Sequence, residues 1–249
     1  MRVVTWNILS GQPTKEGASL FHSIQTLDAD VLALQEVDHL QSRSNEIKTI
    51  EEIAKNCGYV DWAFAPALIG TPGGSWTKAE HLLTSSLEIE LPTSYGIGLL
   101  SKIPIKSWAQ LNLNGSLVGM PLLITTPRGP KIRYVADEPR VAIAAVLENG
   151  ITIITAHLSF VPGVNTWQLR KIKKWANSLP GKKIFLGDFN ALWFGKAGLG
   201  SVNSKKSYPA WSPKVKFDYI LTGQLNCQEI ELPYLGISDH LPLGVKINL

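Results

Sequence analysis

Short runs of apolar and β-branched residues, bounded by Gly, Pro, Asn or Asp, recur along the whole chain and predict β-strands. The clearest runs are residues 3–9, 31–35, 97–100, 141–147, 151–157, 183–186, 217–221 and 243–247. An Asn149-Gly150 dipeptide separates two of these runs, and it is a strong signal for a two-residue hairpin turn. The pattern therefore predicts a protein built largely from strands.

Apolar residues at three- and four-residue steps predict two helices. One apolar face is formed by Leu20, Ile24 and Leu27, and the other by Leu169, Ile172, Trp175, Ala176 and Leu179. The second helix ends at Pro180-Gly181 and carries basic residues between its apolar ones, at Arg170, Lys171, Lys173 and Lys174. This basic face is typical of solvated surface, with a nucleic-acid contact as the alternative.

The chain organisation predicts one domain over residues 1–249, because no repeat, low-complexity tract or Gly/Ser linker divides it. Strands outnumber the interspersed helices, which favours a layered α/β architecture with mixed or antiparallel sheets. Long stretches at 66–94, 112–139 and 195–215 match neither period and are predicted to be loops. Loops of this length in compact domains often carry function, so we expect them to select the substrate.

The charge is unevenly distributed. Residues 1–125 contain 8 Lys or Arg against 12 Asp or Glu, whereas residues 126–249 contain 16 against 8. A basic half suits an anionic substrate, although the same lysines could simply solvate the surface.

Other features of composition suggest a cytoplasmic protein. The longest apolar run, residues 141–147, is far below the ~18 residues that span a bilayer, and no targeting segment opens the chain. Cys57 and Cys227 are the only cysteines, and we expect free buried thiols rather than a disulfide.

Polar residues stand at the ends of several predicted strands. They are Asn7, Glu36, His157, Asp188, Asn190, Asp218, Asp239 and His240. Burying such groups beside apolar strands is costly unless they pair with one another or hold a metal. Carboxylate and amide oxygens favour Mg²⁺ or Mn²⁺, and the few His and Cys residues argue against zinc.

Each of these residues also has an ordinary structural explanation. Asn7 could occupy a turn or a bulge, and Glu36 could cap a helix. Asp188 and Asn190 could form an Asx-turn. Either histidine could be bonded to a backbone carbonyl in the core. The joint occurrence of all of them favours a functional site.

In order along the chain, these residues lie in motifs that resemble those of the endonuclease/exonuclease/phosphatase superfamily, the deoxyribonuclease I-like proteins. The motifs are Thr5-Trp6-Asn7-Ile8, Leu34-Gln35-Glu36-Val37, Thr155-Ala156-His157-Leu158, Gly187-Asp188-Phe189-Asn190, Phe217-Asp218-Tyr219-Ile220 and Ser238-Asp239-His240-Leu241-Pro242. The resemblance implies a four-layered α/β/β/α sandwich, with two central mixed β-sheets flanked by helices and the site at one edge.

The resemblance also implies a role for each residue. Glu36 resembles the principal metal-binding carboxylate, with Asn7 and Asp239 completing the metal site. Asp188 resembles the group that positions or deprotonates the attacking water, and Asn190 resembles its neighbour that steadies the phosphate. His240, oriented by Asp218, and His157 resemble the two histidines that contact or protonate phosphoryl oxygens. The implied chemistry is in-line attack of water on phosphorus, assisted by Mg²⁺ or Mn²⁺.

A bacterial metal-dependent hydrolase branch resembles this chain more than the apurinic-site endonucleases do. Its Gln-Glu-Val-Asp and following Arg-Ser pair are matched by residues 35–38 and 43–44, and its Glu-Pro-Arg is matched by residues 138–140. Arg43 and Arg140 are therefore predicted to contact the substrate phosphate, or alternatively to form surface ion pairs. Leu9 and His157 depart from the apurinic-site endonucleases. Asn165 departs from many relatives and Ile97 departs from this bacterial branch, and both leave the substrate contacts open.

Three functions remain open. The first is hydrolysis of a small or lipid-derived phosphate ester by a monomer without a transmembrane segment. The second is a nuclease acting on DNA or RNA, which the basic half favours. The third is a catalytically silent binding module, which loss of Glu36, Asp188 or His240 would indicate; all three are present.

Overall fold

The computed structural model describes residues 1–80, 83–85, 90–126, 129–191 and 205–248. The helices over these residues are α1 (Leu20–Leu27), α2 (Thr49–Cys57) and α3 (Val164–Ala176). The strands are β1 (Arg2–Asn7), β2 (Val31–His39), β3 (Asp61–Gly70), β4 (Trp76–Lys78), β5 (Leu83–Thr84), β6 (Ser94–Ser101), β7 (Ile105–Leu113), β8 (Met120–Thr126), β9 (Gly129–Val135), β10 (Arg140–Leu147), β11 (Ile151–His157), β12 (Lys182–Asp188), β13 (Asp218–Leu221), β14 (Cys227–Ile230) and β15 (Leu243–Ile247).

The strands form two large mixed sheets. The eight-stranded sheet has the order β14-β15-β1-β2-β6-β3-β4, with β5 also paired to β3, and the five-stranded sheet has the order β13-β12-β11-β10-β7. Strands β1 and β2 pair in parallel, as do β11 and β12, while the other pairs are antiparallel. Strands β8 and β9 form a separate hairpin.

The hydrophobic core is divided into three layers by the two sheets. The middle layer joins the facing sides of both sheets and includes Ala33, Leu99, Ile143 and Ile153. A second layer lies under α1 and α2 on the large sheet, and a third lies under α3 on the small sheet. The fold is therefore the predicted four-layered α/β/β/α sandwich. Because both faces of each sheet are covered, strands such as β10 carry a long apolar run, here residues 141–147.

The predicted strands and both predicted helices are present, but several elements were not predicted. Helix α2 buries Ile50, Ile53 and Ala54, and its short apolar face was overlooked. Strands β3, β7 and β14 were also missed. Strand β7 lies at an edge and leaves most of its residues partly exposed, so it lacks a continuous apolar run.

Two predicted loops were wrong. Residues 66–94 contain the end of β3, strands β4 and β5 and the start of β6, and residues 112–139 contain the β8–β9 hairpin. These strands are short or largely exposed, so their side chains do not show the periodicity of a buried element. The loop predicted at 195–215 lies partly outside the described residues, and its described part, 205–215, has no regular strand or helix.

Two predictions from composition can be compared with the structure. Cys57 and Cys227 are free thiols, as predicted, although both are only half-buried. Within the described ranges, no helix is long and apolar enough to cross a membrane.

Candidate active site

The parallel strand pairs bring the carboxyl ends of several strands to one edge of the sandwich. Asn7 at the end of β1 pairs with Gln35 of β2, and His157 at the end of β11 pairs with Asp188 at the end of β12. Asp188 also pairs with Asp218 at the start of the antiparallel strand β13. Four of the polar residues singled out from the sequence therefore lie on strand ends at this edge: Asn7, His157, Asp188 and Asp218. His240 lies in the segment before β15 and joins them through its bond to Asp218.

The backbone is unusual at three residues around this edge. Glu36, Asn190 and Ser238 have φ angles of 56°, 48° and 62°, a left-handed conformation that non-glycine residues rarely adopt. Glu36 lies where the pairing of β2 with β6 shifts register, between Leu34 and Val37. A bulge of this kind re-aims a side chain, and backbone strain of this kind concentrates at functional sites.

Asn7 forms hydrogen bonds with one carboxylate from each of the two large sheets. Its Nδ2 donates to Glu36 Oε1 at 2.9 Å and to Asp188 Oδ2 at 3.0 Å, and its Oδ1 accepts from the Leu9 backbone N–H at 3.1 Å. The amide oxygen accepts one hydrogen bond and keeps a second lone pair, the kind of donor that Mg²⁺ accepts. This geometry lets Asn7 position both Glu36 and Asp188.

Asp188 is the most central carboxylate. It is 2% exposed, and its Oδ1 accepts from the Asn190 backbone N–H at 3.0 Å. Burial, reinforced by the negative charge of Asp218, raises its pKa to about 7. Its Oδ2 lies 3.6 Å from His157 Nε2 and 3.8 Å from His240 Nε2. A carboxylate with a pKa near neutrality is suited to accept a proton from water.

His240 and Asp218 form a buried pair. His240 Nδ1 lies 2.8 Å from Asp218 Oδ2, which also accepts from the Ser207 hydroxyl. Burial alone would lower the pKa of His240, but Asp218 and then Asp188 outweigh it and raise that pKa to about 10. His240 is therefore an imidazolium at neutral pH. Trp6 Nε1 donates to the His240 carbonyl at 2.9 Å and helps to hold the residue in place.

His157 is in the opposite protonation state. Burial lowers its pKa well below the usual value, and the nearby charges of Arg140 and His240 lower it further. The neutral ring lies with Nε2 3.1 Å from Asn190 Nδ2, and the same amide donates to the Leu158 carbonyl at 3.0 Å. The edge of the sandwich thus presents one charged and one neutral imidazole on either side of Asp188.

Glu36 and Asp239 form the best candidate metal centre. Burial raises the pKa of Glu36; the hydrogen bond from Asn7 opposes that rise, and the charge of Asp239 adds to it. Two carboxylates that repel one another in this way are stabilised by a cation between them. Their oxygens are the donors that Mg²⁺ and Mn²⁺ prefer, so the residues present fit the metal that the sequence predicts.

A second group could also offer ligands. Atoms of Asp188, Asp218 and His240 lie within 4.8 Å of one another. Asp218 and His240 are hydrogen-bonded to each other, however, and Asp218 also accepts from Ser207. Because a metal there would have to break that pair, we interpret this group as a proton-handling cluster rather than as a metal centre.

The two arginines predicted to bind phosphate differ in their surroundings. Arg43 makes two bonds to the buried Asp38, at 2.8 Å and 2.6 Å, so its guanidinium is largely committed to an ion pair. Arg140 bonds to Asp137 at 3.0 Å, but its buried Nε has no hydrogen-bond partner among the described residues. Arg140 is close enough to influence the pKa of both Glu36 and His157. It is therefore the better candidate for a phosphate contact.

Two serines support the site and were not predicted. Ser238 Oγ donates to the Asn7 carbonyl at 2.6 Å and accepts from the His240 backbone N–H at 3.1 Å. Its place beside Asp239-His240 was a signal that could have been used. Ser207 bonds to Asp218, yet it lies 11 residues before it in an irregular segment, where the sequence offers no such signal.

Gly187 provides a test of how tightly this edge is packed. Its φ is 138°, and a Cβ added to it would lie 2.0 Å from the Ala156 carbonyl oxygen. We expect Gly187→Ala to lower the free energy of unfolding by about 2 kcal/mol or more and to reduce activity, because strand β12 and Asp188 must shift. Urea unfolding and steady-state kinetics measure both effects.

The matched control is Gly150→Ala. Gly150 has a φ of 83°, but an added Cβ would meet nothing within 4 Å. This variant should lose about 1 kcal/mol and keep its activity. Equal losses of activity in both variants would show that the close approach at Gly187 does not position Asp188.

Comparisons with known proteins agree with this geometry. A model of the Endonuclease/Exonuclease/phosphatase family matches residues 4–240. A search of curated proteins found no match. Among solved structures, an endonuclease/exonuclease/phosphatase from Beutenbergia cavernae is 18% identical with a TM-score of 0.64, over 100% of this chain and 71% of that one.

Two further structures share the fold over nearly the whole of both chains. The human Nocturnin catalytic domain with bound sulfate is 19% identical, with a TM-score of 0.59 and coverage of 100% and 94%. A mannosyl-6-phosphatase from Bacteroides thetaiotaomicron is 11% identical, with a TM-score of 0.53 and coverage of 100% of each chain. The family match extends over most of the chain and includes every strand that carries the site, so this chain belongs to the endonuclease/exonuclease/phosphatase family, whose members hydrolyse phosphoester bonds.

Proposed function

We propose that this chain is a divalent-metal-dependent phosphoesterase that hydrolyses a phosphodiester or phosphomonoester by in-line attack of water. The observation that carries the proposal is the position of Asp188. Its carboxylate, with a pKa near 7, lies between a charged and a neutral imidazole and shares the Asn7 amide with Glu36. The site would therefore combine a base, a cationic hydrogen-bond donor and carboxylates that could hold a metal.

The metal centre would be formed by Glu36 and Asp239, with Asn7 holding the Glu36 carboxylate in place. A bound Mg²⁺ or Mn²⁺ supplies neutralisation of the charge that develops on the phosphoryl oxygens. Asn7 donates to both Glu36 and Asp188, so the acidic centre and the base are fixed relative to one another. Such fixing matters because small displacements of catalytic groups cost large factors in rate.

The base in this mechanism is Asp188. The Asn190 backbone N–H holds Oδ1, and the Asn7 amide donates to Oδ2, whose second lone pair would orient water and accept its proton. The protonated form of Asp188 is accessible because its pKa is about 7. The water oxygen would bond to phosphorus as the bond from phosphorus to the ester oxygen breaks; the water proton passes to Asp188, and the leaving oxygen takes a proton from solvent.

The imidazolium of His240 would donate a hydrogen bond to a phosphoryl oxygen from Nε2, since Asp218 occupies Nδ1. Arg140 would add a second positive group. The neutral His157 would orient the phosphate as well, held in place by the Asn190 amide. Preorganised donors of this kind usually make the largest contribution to stabilising a charged transition state.

For the substrate, we propose two candidate classes. A small or lipid-derived phosphate ester is our first candidate, and a phosphatase is among the proteins that share the fold. A nuclease acting on DNA or RNA is the second candidate, and the net positive charge of residues 126–249 favours it.

The proposal is tested by hydrolysis of bis-p-nitrophenyl phosphate and p-nitrophenyl phosphate. We expect turnover with Mg²⁺ or Mn²⁺, loss of turnover with excess chelator, and recovery when the metal is restored. The metal should also raise the unfolding temperature, because a free metal concentration of 100 times Kd adds about 2.7 kcal/mol to the free energy of unfolding.

Asp239→Asn is the paired variant for this test. It removes one of the two repelling carboxylates, so the metal should stabilise it less than the parent while the metal-free variant remains folded. Turnover that persists in chelator would contradict the metal dependence. Equal metal-induced stabilisation of parent and variant would contradict the assignment of Asp239.

A further inference from the structure

A basic cleft lies on the far side of the small sheet from the carboxylate cluster. It is a concavity of about 450 Å³ between α3 and the first residues of β12. Its positive side chains are Arg170, Lys173, Lys174 and Lys183. None of the described residues that line the cleft is acidic. We call this concavity the basic cleft.

The sequence around the basic cleft is strongly one-sided in charge. Residues 164–183 contain six Lys or Arg and no Asp or Glu. In the described part of the chain, Arg170, Lys174 and Lys183 form no ion pair with a carboxylate, whereas Lys102, Lys205 and Arg43 elsewhere do. Uncompensated positive charge in a concave surface concentrates anions there.

An exposed aromatic side chain continues this surface along α3. Trp167 is 41% exposed, and Lys171 Nζ lies 3.9 Å from the centre of its ring. Lys171 and Lys174 lie four residues after Trp167 and Arg170 respectively, and Arg170 lies three after Trp167, so the four side chains share one face of the helix. The opposite face of α3 is buried on the small sheet through Leu169, Ile172 and Ala176.

Helix α3 itself links the basic cleft with the candidate active site. In its first turn, the buried Asn165 donates from Nδ2 to the Asn190 carbonyl at 2.9 Å. From Trp167 to Lys174 the helix rises about 10 Å, a length that about three nucleotides of one strand cover. Lys183 lies five positions before Asp188 along β12, a distance of about 17 Å. A ligand that reached both places would have to be an extended polyanion.

We propose that the basic cleft and the adjoining α3 face bind the backbone of single-stranded nucleic acid, with Trp167 as a stacking platform for a base. Positive residues that track phosphates, together with an exposed aromatic ring, are the combination that binds single strands without sequence preference. An anionic membrane is a poorer match. The surface is concave, and Trp167 is the one large exposed apolar side chain on α3.

The binding does not require the hydrolysis proposed above. If both hold, the substrate class is narrowed to single-stranded DNA or RNA, which the α3 face would guide toward Asp188.

The test measures fluorescence anisotropy of a labelled 12-nucleotide single strand, in DNA and RNA versions, over a range of salt concentrations. EDTA is present throughout, so no metal-dependent cleavage occurs. Arg170→Glu/Lys174→Glu should bind about tenfold or more weakly. The slope of log K against log salt should fall in magnitude by about 1.4, because two phosphate contacts are lost.

Trp167→Ala should also weaken binding, but without changing the salt slope, because stacking releases no counterions. The charge-matched control is Lys55→Glu/Lys106→Glu, which places the same charge change on exposed residues outside α3. This control should bind within about twofold of the parent. All variants should keep their unfolding temperature and their hydrolysis of bis-p-nitrophenyl phosphate.

The proposal would be overturned if the control and the α3 double variant lost the same amount of affinity for the strand, or if Trp167→Ala left that affinity unchanged. It would also be overturned if the protein bound a duplex of the same length equally tightly, or if it bound phosphatidylserine vesicles and not the single strand. A protein that binds the strand in this pattern but hydrolyses no ester would overturn the proposed function and leave this inference standing. Hydrolysis without strand binding would do the reverse.

Discussion

Asp188→Asn should lower kcat by about 10³- to 10⁴-fold with little change in KM, because it removes the base and keeps a side chain of nearly the same size. The amide can still accept from the Asn190 N–H, so the turn after β12 should persist. A loss of this size corresponds to about 4 to 5.5 kcal/mol of transition-state stabilisation. Steady-state kinetics at saturating Mg²⁺ measure it.

The same variant should be more stable than the parent at high pH, although its kcat is lower. The pKa of Asp188 in the folded protein, about 7, lies above its unfolded value, so ionisation of this group destabilises the fold as pH rises from about 4 through 7. Asp188→Asn should therefore unfold at a higher urea concentration than the parent at pH 8 in chelator, and this advantage should disappear below about pH 4.

Asp28→Asn is the control for this variant. Asp28 has a side chain that is 72% exposed and pairs with Lys102 far from the site, and its left-handed backbone also suits Asn. It should match the parent in kcat. A kcat within tenfold of the parent for Asp188→Asn would show that another group activates the water.

Asp218→Asn should lower kcat by about 10²- to 10⁴-fold, with a larger loss at pH 8 than at pH 6. Asp218 is the main cause of the raised pKa of His240, and it also bonds to His240 Nδ1. Without that charge, the pKa of His240 falls toward or below its usual value, so the imidazolium is lost as pH rises through neutrality. The pH profile of kcat and NMR titration of the His240 ring report the change.

The same pair should stabilise the fold. Because the pKa of His240 in the folded protein, about 10, exceeds its unfolded value near 6.5, its contribution is fully present below about pH 6.5 and is lost as pH rises through 10. Asp218→Asn should therefore lose this pH dependence. Titration of His240 near 6.5 in the metal-free parent would contradict the assignment of an imidazolium. Ser207→Ala is a milder companion, because it removes one bond to Asp218 and leaves the carboxylate in place.

The site was more predictable from sequence than the rest of the fold. Asn7, His157 and Asp188 each end a strand, and parallel pairing places such ends at a common edge. A polar residue after an apolar run is visible without coordinates. The ordered motifs then indicated the four-layered sandwich, which the two sheets and their three core layers confirm.

What the sequence did not reveal was mostly geometry. The left-handed backbone of Glu36 depends on a bulge, and no residue type in β2 signals one. The orientation of the Asn7 amide depends on the Leu9 N–H, two residues along the chain, and on Asp188, which lies 181 residues away. Long-range bonds of this kind appear only when the two sheets are packed together.

The two arginines show a different limit of prediction from sequence. Both arginines lie in motifs that resemble those of one bacterial branch. Arg43 is paired with the buried Asp38, whereas the buried Nε of Arg140 has no hydrogen-bond partner among the described residues. A buried carboxylate needs a partner, so Asp38 determines where Arg43 lies. The sequence contained both residues but not the fact that Asp38 is buried. Exposed strands such as β7 were missed for a related reason, because partial burial weakens their pattern.

The central claim is that water, activated at Asp188, attacks phosphorus. It is tested most directly by hydrolysis of bis-p-nitrophenyl phosphate in ¹⁸O-labelled water with Mg²⁺, followed by mass spectrometry of both products. The account predicts one ¹⁸O atom in the phosphate product of each turnover, none in the p-nitrophenol, and labelled product reduced to background in Asp188→Asn. Label in the p-nitrophenol, or labelled phosphate formed at an undiminished rate by Asp188→Asn, would contradict it.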